Sequence, residues 1–270
     1  MRRGHFPAPA AKTVSVMTNY YNGSPQGNAL SRIPPVTRSL LIINIGIWIA
    51  CFISGAFGRF AVDRLGLHFW SAADFNPIQL VTYMFVHDIH NFAHIFFNMF
   101  ALYMFGRMLE MVWGQKKFLF FYLICGVGAG LVQEVVWQIT WQQEYIEALA
   151  SQNGFAAGYV KEMVDYTVAQ GDPARLANMA LFKTQLCTIG ASGAIFGLLV
   201  GFGFVFPNVP MYLFFIPVPI KAKWIVIGYG LLEILFGASG ALSSVAHYAH
   251  LGGMLFGLLL VWLWKPKKVY

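Results

Sequence analysis

The chain has 270 residues, of which 58% are hydrophobic and 11% charged, with a mean hydropathy of +0.60; soluble domains carry roughly a quarter charged residues. That composition excludes an ordinary soluble globular protein. The formal net charge of +7 makes no nucleic-acid patch either, because the basic residues are spread among the loops in the manner of a membrane topology.

Residues 1–38 include Arg2, Arg3, Pro7, Pro9, Asn19 and Gly23 without a continuous apolar core. They read as a flexible cytoplasmic tail rather than a secretory signal. Six apolar segments follow, at about 39–57, 93–112, 118–138, 188–206, 223–239 and 245–264, each long enough to cross a hydrocarbon core of about 30 Å as a helix. The expectation is an all-α polytopic membrane protein with a membrane domain over 39–265 and a short tail over 266–270. Arg32 and Arg38, Lys116 and Lys117, Lys221 and Lys223, and Lys265, Lys267 and Lys268 fall on one side if six helices alternate. The other side collects Asp63, Asp74, Asp88, Glu144, Glu147, Glu162, Asp165 and Asp172. By the positive-inside rule both termini are cytoplasmic, and the lack of an Arg- and Ser-rich presequence favours a bacterial plasma membrane over an organelle. Cys51, Cys125 and Cys187 sit in three separate regions, which argues against a disulfide framework.

The stretch 59–87 reads as an external loop whose aromatics, Phe69, Trp70, Phe75, Tyr83 and Phe85, suit the membrane interface. The second segment opens with His87, Asp88, His90 and His94. Of these histidines only His90 and His94 have ligand spacing on one helix face, with no Cys or Glu beside them, so no metal and no other cofactor is expected. His94 and Asn98 lie four apart and point the same way near the external end of the helix. Arg107 and Glu110, three apart at its cytoplasmic end, read as a local ion pair. Residues 138–183, with Trp141, Tyr145 and Leu149 and then Tyr159, Met163 and Tyr166 at helical spacing, form an amphipathic external cap. Whether that cap touches substrate stays open.

The fourth segment starts Gly190-Ala191-Ser192-Gly193-Ala194-Ile195-Phe196-Gly197. A soluble hydrolase presents such a serine on a strand-to-helix turn, whereas here Gly193 and Gly197 have the small-xxx-small spacing of closely packed membrane helices. From that stretch alone Ser192 is simply one more small residue. The sixth segment alters the reading: in Ala249-His250-Leu251-Gly252-Gly253-Met254-Leu255-Phe256-Gly257 a glycine face descends below an imidazole. Two glycine-faced helices bring a serine and a histidine together as nucleophile and base. His247, one turn before His250, is expected at the surface. Glu233, in the fifth segment, is an acid at membrane depth, suited either to a functional site such as a proton-coupled carrier or to a hydrogen bond with a neighbouring helix.

Taken together, His94-x-x-x-Asn98, Gly106 to Gly114 with Glu110, Gly190-Ala191-Ser192-Gly193, and Ala249-His250 with Gly253 and Gly257 resemble the rhomboid intramembrane serine proteases. The resemblance implies a six-transmembrane-helix rhomboid-like bundle embedded in the lipid bilayer. It implies Ser192 as nucleophile and His250 as general base and then acid. His94 and Asn98 join the Ser192 backbone N–H as oxyanion donors, and Gly190, Gly193 and Phe196 support them. With no acid on segments four or six, a two-residue dyad is expected. The substrates would be membrane proteins with a transmembrane helix, cut near its external end. Two departures stand out: Gln79-Leu80-Val81-Thr82-Tyr83 lies where the family often has Trp-Arg, and Phe196 lies where it often has tyrosine. The rivals are a carrier built on Glu233, His94 and Asn98, for which no internal repeat is seen, and a non-catalytic binding protein of the same fold.

Overall fold

The computed structural model describes residues 32–213, 216–239, 246–266 and 268–269. Most of the expected 1–38 tail, and residues 267 and 270 of the 266–270 tail, lie outside the described residues. Helix α1, Pro35–Ile53, starts earlier than the hydropathy suggests because Pro35 at its first position is preorganised for a helix. Pro34 offers no side-chain cap, and the orphan N–H groups are satisfied from elsewhere in the chain. The Glu110 carboxylate accepts from the Val36 N–H at 2.9 Å, the Thr37 N–H at 2.7 Å and the Thr37 hydroxyl at 2.8 Å. This overturns the expected Arg107–Glu110 ion pair. A buried carboxylate gains more from three donors at a helix N-terminus than from one cation, and Arg107 instead donates to the Tyr103 hydroxyl at 3.0 Å.

The region expected as a loop is partly helical. Ser54 accepts from the Phe57 N–H to cap α2, Gly55–Leu65, which is followed by strand β1, Leu67–His68, and the single helical turn α3, Gln79–Thr82. Gln79 answers the question left by the absent Trp-Arg. It is buried, its Oε1 accepts from the His68 and Asn76 N–H groups, and its Nε2 donates to the carbonyls of Arg64 and Asp74. One amide side chain thus ties together four points of this connection.

Helix α4, Phe92–Ala101, passes through a wider turn over Leu102–Gly106 into α5, Arg107–Trp113. Helix α6, Gln115–Asn153, has 39 residues and a length of about 58 Å, far beyond the expected 118–138. Its C-terminal part forms one wall of the expected cap. There α7, Ala157–Ala169, and α8, Pro173–Gln185, fold back so that Tyr145, Ile146 and Ala150 close on Val160 and Val164. Strand β2, Cys187–Thr188, pairs antiparallel with β1 and returns the chain to the membrane domain. Then come α9, Ser192–Val205, the antiparallel strands β3, Pro210–Leu213, and β4, Ile216–Lys221, and helices α10, Ala222–Ser239, and α11, His247–Trp264.

The molecule is an all-α polytopic bundle whose apolar helices are unequal in length. Among the described residues, five helical stretches are long and apolar enough to cross a membrane: Pro35–Ile53, Phe92–Trp113, Gln115–Asn153, Ala222–Ser239 and His247–Trp264. Helix α9 has only 14 residues, about 21 Å against a hydrocarbon core of about 30 Å. Its expected first residues are used by β2 and by Gly190, whose φ of +123° no helix accepts. This short helix is the buried centre of the bundle, packed between α6 and α11. Outward faces carry exposed apolar side chains such as Ile42, Phe52, Phe96, Leu235 and Trp262, as lipid contact requires.

Candidate active site

The site is built where α9 meets α11. A Cβ on Gly253 would overlap the Gly193 carbonyl, so no other residue permits this approach. The contact sets His250 Nε2 2.7 Å from Ser192 Oγ. Phe196, one turn below Ser192, stacks on the His250 ring at 4.2 Å with the planes 10° apart. Because Ser192 is the first residue of α9, its backbone N–H has no partner within the helix.

The residues just before the serine are held by the chain around 83–94. Gly190 donates to the Tyr83 carbonyl at 2.9 Å, its positive φ admits few other residues, and a Cβ there would lie 2.7 Å from His94 Nε2. Ala191 N–H donates to His87 Nε2 at 3.3 Å. His87 is fully enclosed, and burial, helped by the neighbouring His94, pushes it down to about 3, so it stays a neutral acceptor.

His94 Nδ1 accepts from the Asp88 N–H at 3.3 Å. That assigns the ring proton to Nε2, the atom facing Gly190. The Asn98 Nδ2 donates to the His94 carbonyl at 2.7 Å, which uses one of its two N–H bonds. A cavity of about 710 Å³ adjoins these groups, lined among others by Asn98, Met104, Ser192, Phe196, Phe202 and Tyr229. It lies between the α4–α5 rod and α10, of which only 17% is buried.

On the other side of His250 stands Glu233, from α10. Its Oε1 lies 3.1 Å from His250 Nδ1, an ion-pair distance without hydrogen-bond alignment, and its Oε2 lies 2.6 Å from His247 Nδ1. All three side chains are buried. They also form a group whose potential metal-ligand atoms lie within 4.8 Å of one another. Among the described residues, His87, His90 and His94 form no such group.

A Rhomboid domain model matches residues 74–140 and 153–267. The chain belongs to the rhomboid family. It is 26% identical over 264 residues to the Rhomboid protein 1, mitochondrial, of Saccharomyces cerevisiae, covering 92% of this chain and 61% of that protein. It is likewise 26% identical over 245 residues to the Rhomboid-like protein 11, chloroplastic, of Arabidopsis thaliana, covering 83% of this chain and 63% of the relative. The chain thus spans about three-fifths of the length of these relatives. Both names are organellar, so they lend no support to the bacterial membrane expected from the sequence.

Within this rhomboid chain, the expected residues fall into two groups, one around Ser192 and one around Gly190 and His94. Ser192, His250 and Phe196 make direct contact, Gly193 lies under the α11 backbone and Gly190 under the His94 ring, and Asn98 shares the cavity with Ser192. One expectation fails. His247 is not a surface histidine but is buried against Glu233, because an acid inside the bundle needs a partner there. An acid does face His250, and it comes from the fifth segment rather than the fourth or sixth. His87 was weighed only as a metal ligand. Nothing in the spacing ties it to Ala191, more than a hundred residues away.

Proposed function

We propose that this rhomboid-family chain is an intramembrane serine endopeptidase, and the observation that carries the reading is the 2.7 Å contact between Ser192 Oγ and His250 Nε2 inside a glycine-lined helix interface. Ser192 Oγ attacks the scissile carbonyl carbon while its proton passes to His250 Nε2. The carbonyl electron pair moves onto oxygen, where the Ser192 N–H, His94 Nε2–H and the second Asn98 N–H receive it. His250 then protonates the leaving amine, and water, activated by the same imidazole, releases the acyl group. The substrate class is a transmembrane segment of another membrane protein, laid into the cavity between α4–α5 and α10. No cofactor enters.

The test is labelling with a fluorophosphonate, which reacts only with an activated serine, alongside cleavage of a transmembrane peptide. Ser192→Ala, His250→Ala and the double variant are expected to lose similar amounts of activity, on the order of 10⁴-fold or more, since such residues act as a unit. Folded Ser192→Ala protein that still cleaves would end the serine-protease reading. A carrier would transport without labelling, and a binding protein would do neither.

The charge asymmetry supports an orientation with both termini cytoplasmic and the cap on the opposite side. In a cysteine-free background, a cysteine replacing Gly154 should label from outside intact cells and one replacing Lys117 should not. Equal external labelling of both would overturn that orientation.

A further inference from the structure

The acid facing His250 is absorbed neither by the dyad nor by the oxyanion donors. Glu233 is buried at membrane depth, where an unpaired carboxylate is expensive, and both its oxygens meet imidazoles: Oε2 meets His247 Nδ1 at 2.6 Å and Oε1 meets His250 Nδ1 at 3.1 Å. His247 and His250 lie three apart on α11, so one helix face presents two rings to one carboxylate on α10. A tie between helices would need only one of these contacts. The second falls on the nitrogen of His250 opposite the serine.

We infer that Glu233 is a positioning residue that turns the dyad into a Ser192–His250–Glu233 relay, with His247 holding the carboxylate in place. The inference rests on the serine-peptidase reading and deepens it. A carboxylate at Nδ1 keeps the proton on that nitrogen and leaves the Nε2 lone pair toward Ser192 Oγ–H. When the serine O–H bond breaks and its proton moves to Nε2, the oxygen's electron pair forms the bond to the carbonyl carbon. The resulting imidazolium then sits against a negative charge already in position. Glu233 itself takes no proton. His247 acts one step further back, fixing Oε2 so that Oε1 stays aimed at His250. The short 2.6 Å contact and the looser 3.1 Å one fit this order, the outer member clamped and the inner one free to align as charge develops on the ring.

The titratable groups around His250 are Glu233 from α10, His247 from its own helix and His94 from α4. Only Glu233 is negative, so its removal has a defined sign. The experiment measures fluorophosphonate labelling of the full chain in proteoliposomes across pH, resolved into a maximal rate and a half-saturating concentration. Glu233→Gln, isosteric and uncharged, is expected to lower the maximal rate by about 100- to 10,000-fold, the range expected when a histidine loses its orienting carboxylate, and to leave half-saturation unchanged. The acid limb of the profile should move to lower pH, because the protonated imidazole has lost its counter-charge. His247→Gln keeps a donor for Oε2 and should lose less than about 10-fold. Parental rate and parental acid limb in Glu233→Gln overturn the relay while leaving the serine reading intact. Labelling of Ser192→Ala would instead overturn the underlying reading. If Glu233→Gln does not fold, Glu233→Asp decides. Its shorter acid keeps the charge but loses reach, so a rate between parent and the Ser192→Ala baseline is expected, and a parental rate sinks the relay. A chelator that changes the parent's labelling would make the cluster a metal site and overturn it as well.

Discussion

Two histidines, one facing Gly190 and one facing Ser192, present the same ring nitrogen in opposite states. On the α4 side, His94 takes a backbone N–H at Nδ1, so its Nε2 carries the proton and can only donate. On the α11 side, His250 has a carboxylate near Nδ1, so its Nε2 is left to accept from the serine hydroxyl at 2.7 Å. The group behind each ring, a peptide N–H in one case and an acid in the other, sets the tautomer. On the proposed reading one imidazole serves as the oxyanion donor and the other as the base, although neither choice is written in the histidine itself.

The contrast can be broken first from the donor side. If His94 and Asn98 receive the developing oxyanion, His94→Ala or Asn98→Ala should lower kcat by roughly 100- to 1000-fold, about 3–4 kcal/mol of transition-state stabilisation. Apparent substrate binding should change little, and the serine should still label slowly. Steady-state cleavage of a transmembrane peptide by folded variants checks this, and parental kcat in both would return the pair to a purely structural role. The base side responds differently, because His250→Ala abolishes labelling as well.

How much of this was legible beforehand follows the range of the interactions. Gly193, Gly197, Gly253 and Gly257 could be read as two close-packing faces because helical spacing is local, and the packing of α9 on α11 follows from them. The continuity of α6 to Asn153 is not legible, because hydropathy ends where the cap begins and the helical spacing of Trp141, Tyr145 and Leu149 does not say that it prolongs the membrane helix. Glu110 looked like the partner of Arg107, three residues away, but its three donors come from residues more than seventy positions earlier. Glu233 was visible as an intramembrane acid, yet its bearing on His250 depends on how α10 is rotated against α11, which no spacing encodes. The same limit hid His87 and Gln79, whose partners are fixed by the fold of the connection between α2 and α4.

The smaller test of the contrast concerns His87, the second neutral histidine on the donor side. It accepts the Ala191 N–H beside Ser192 and must stay unprotonated to do so, since a charged ring would present an N–H to another N–H. Burial, together with His94, pushes it from 6.5 down to about 3. The sign follows: the folded state resists protonation, so below pH 6.5 the unfolded chain binds a proton that the folded chain refuses. The stabilisation is therefore complete above pH 6.5, shrinks as pH falls towards 3, and is gone below that. One such proton contributes a slope of up to about 1.4 kcal/mol per pH unit. His87→Gln retains an acceptor for Ala191 but does not titrate. Thermal unfolding of the purified proteins between pH 7 and pH 4 should therefore show the parent losing Tm more steeply than the variant, with the two closest at pH 7 and furthest apart at the acid end. At pH 7 the variant should keep most of its labelling, because the loop before Ser192 is still held. Parallel Tm curves would mean that His87 is already charged or solvated in the folded protein, and the donor side would then no longer be the neutral counterpart of the carboxylate-backed base.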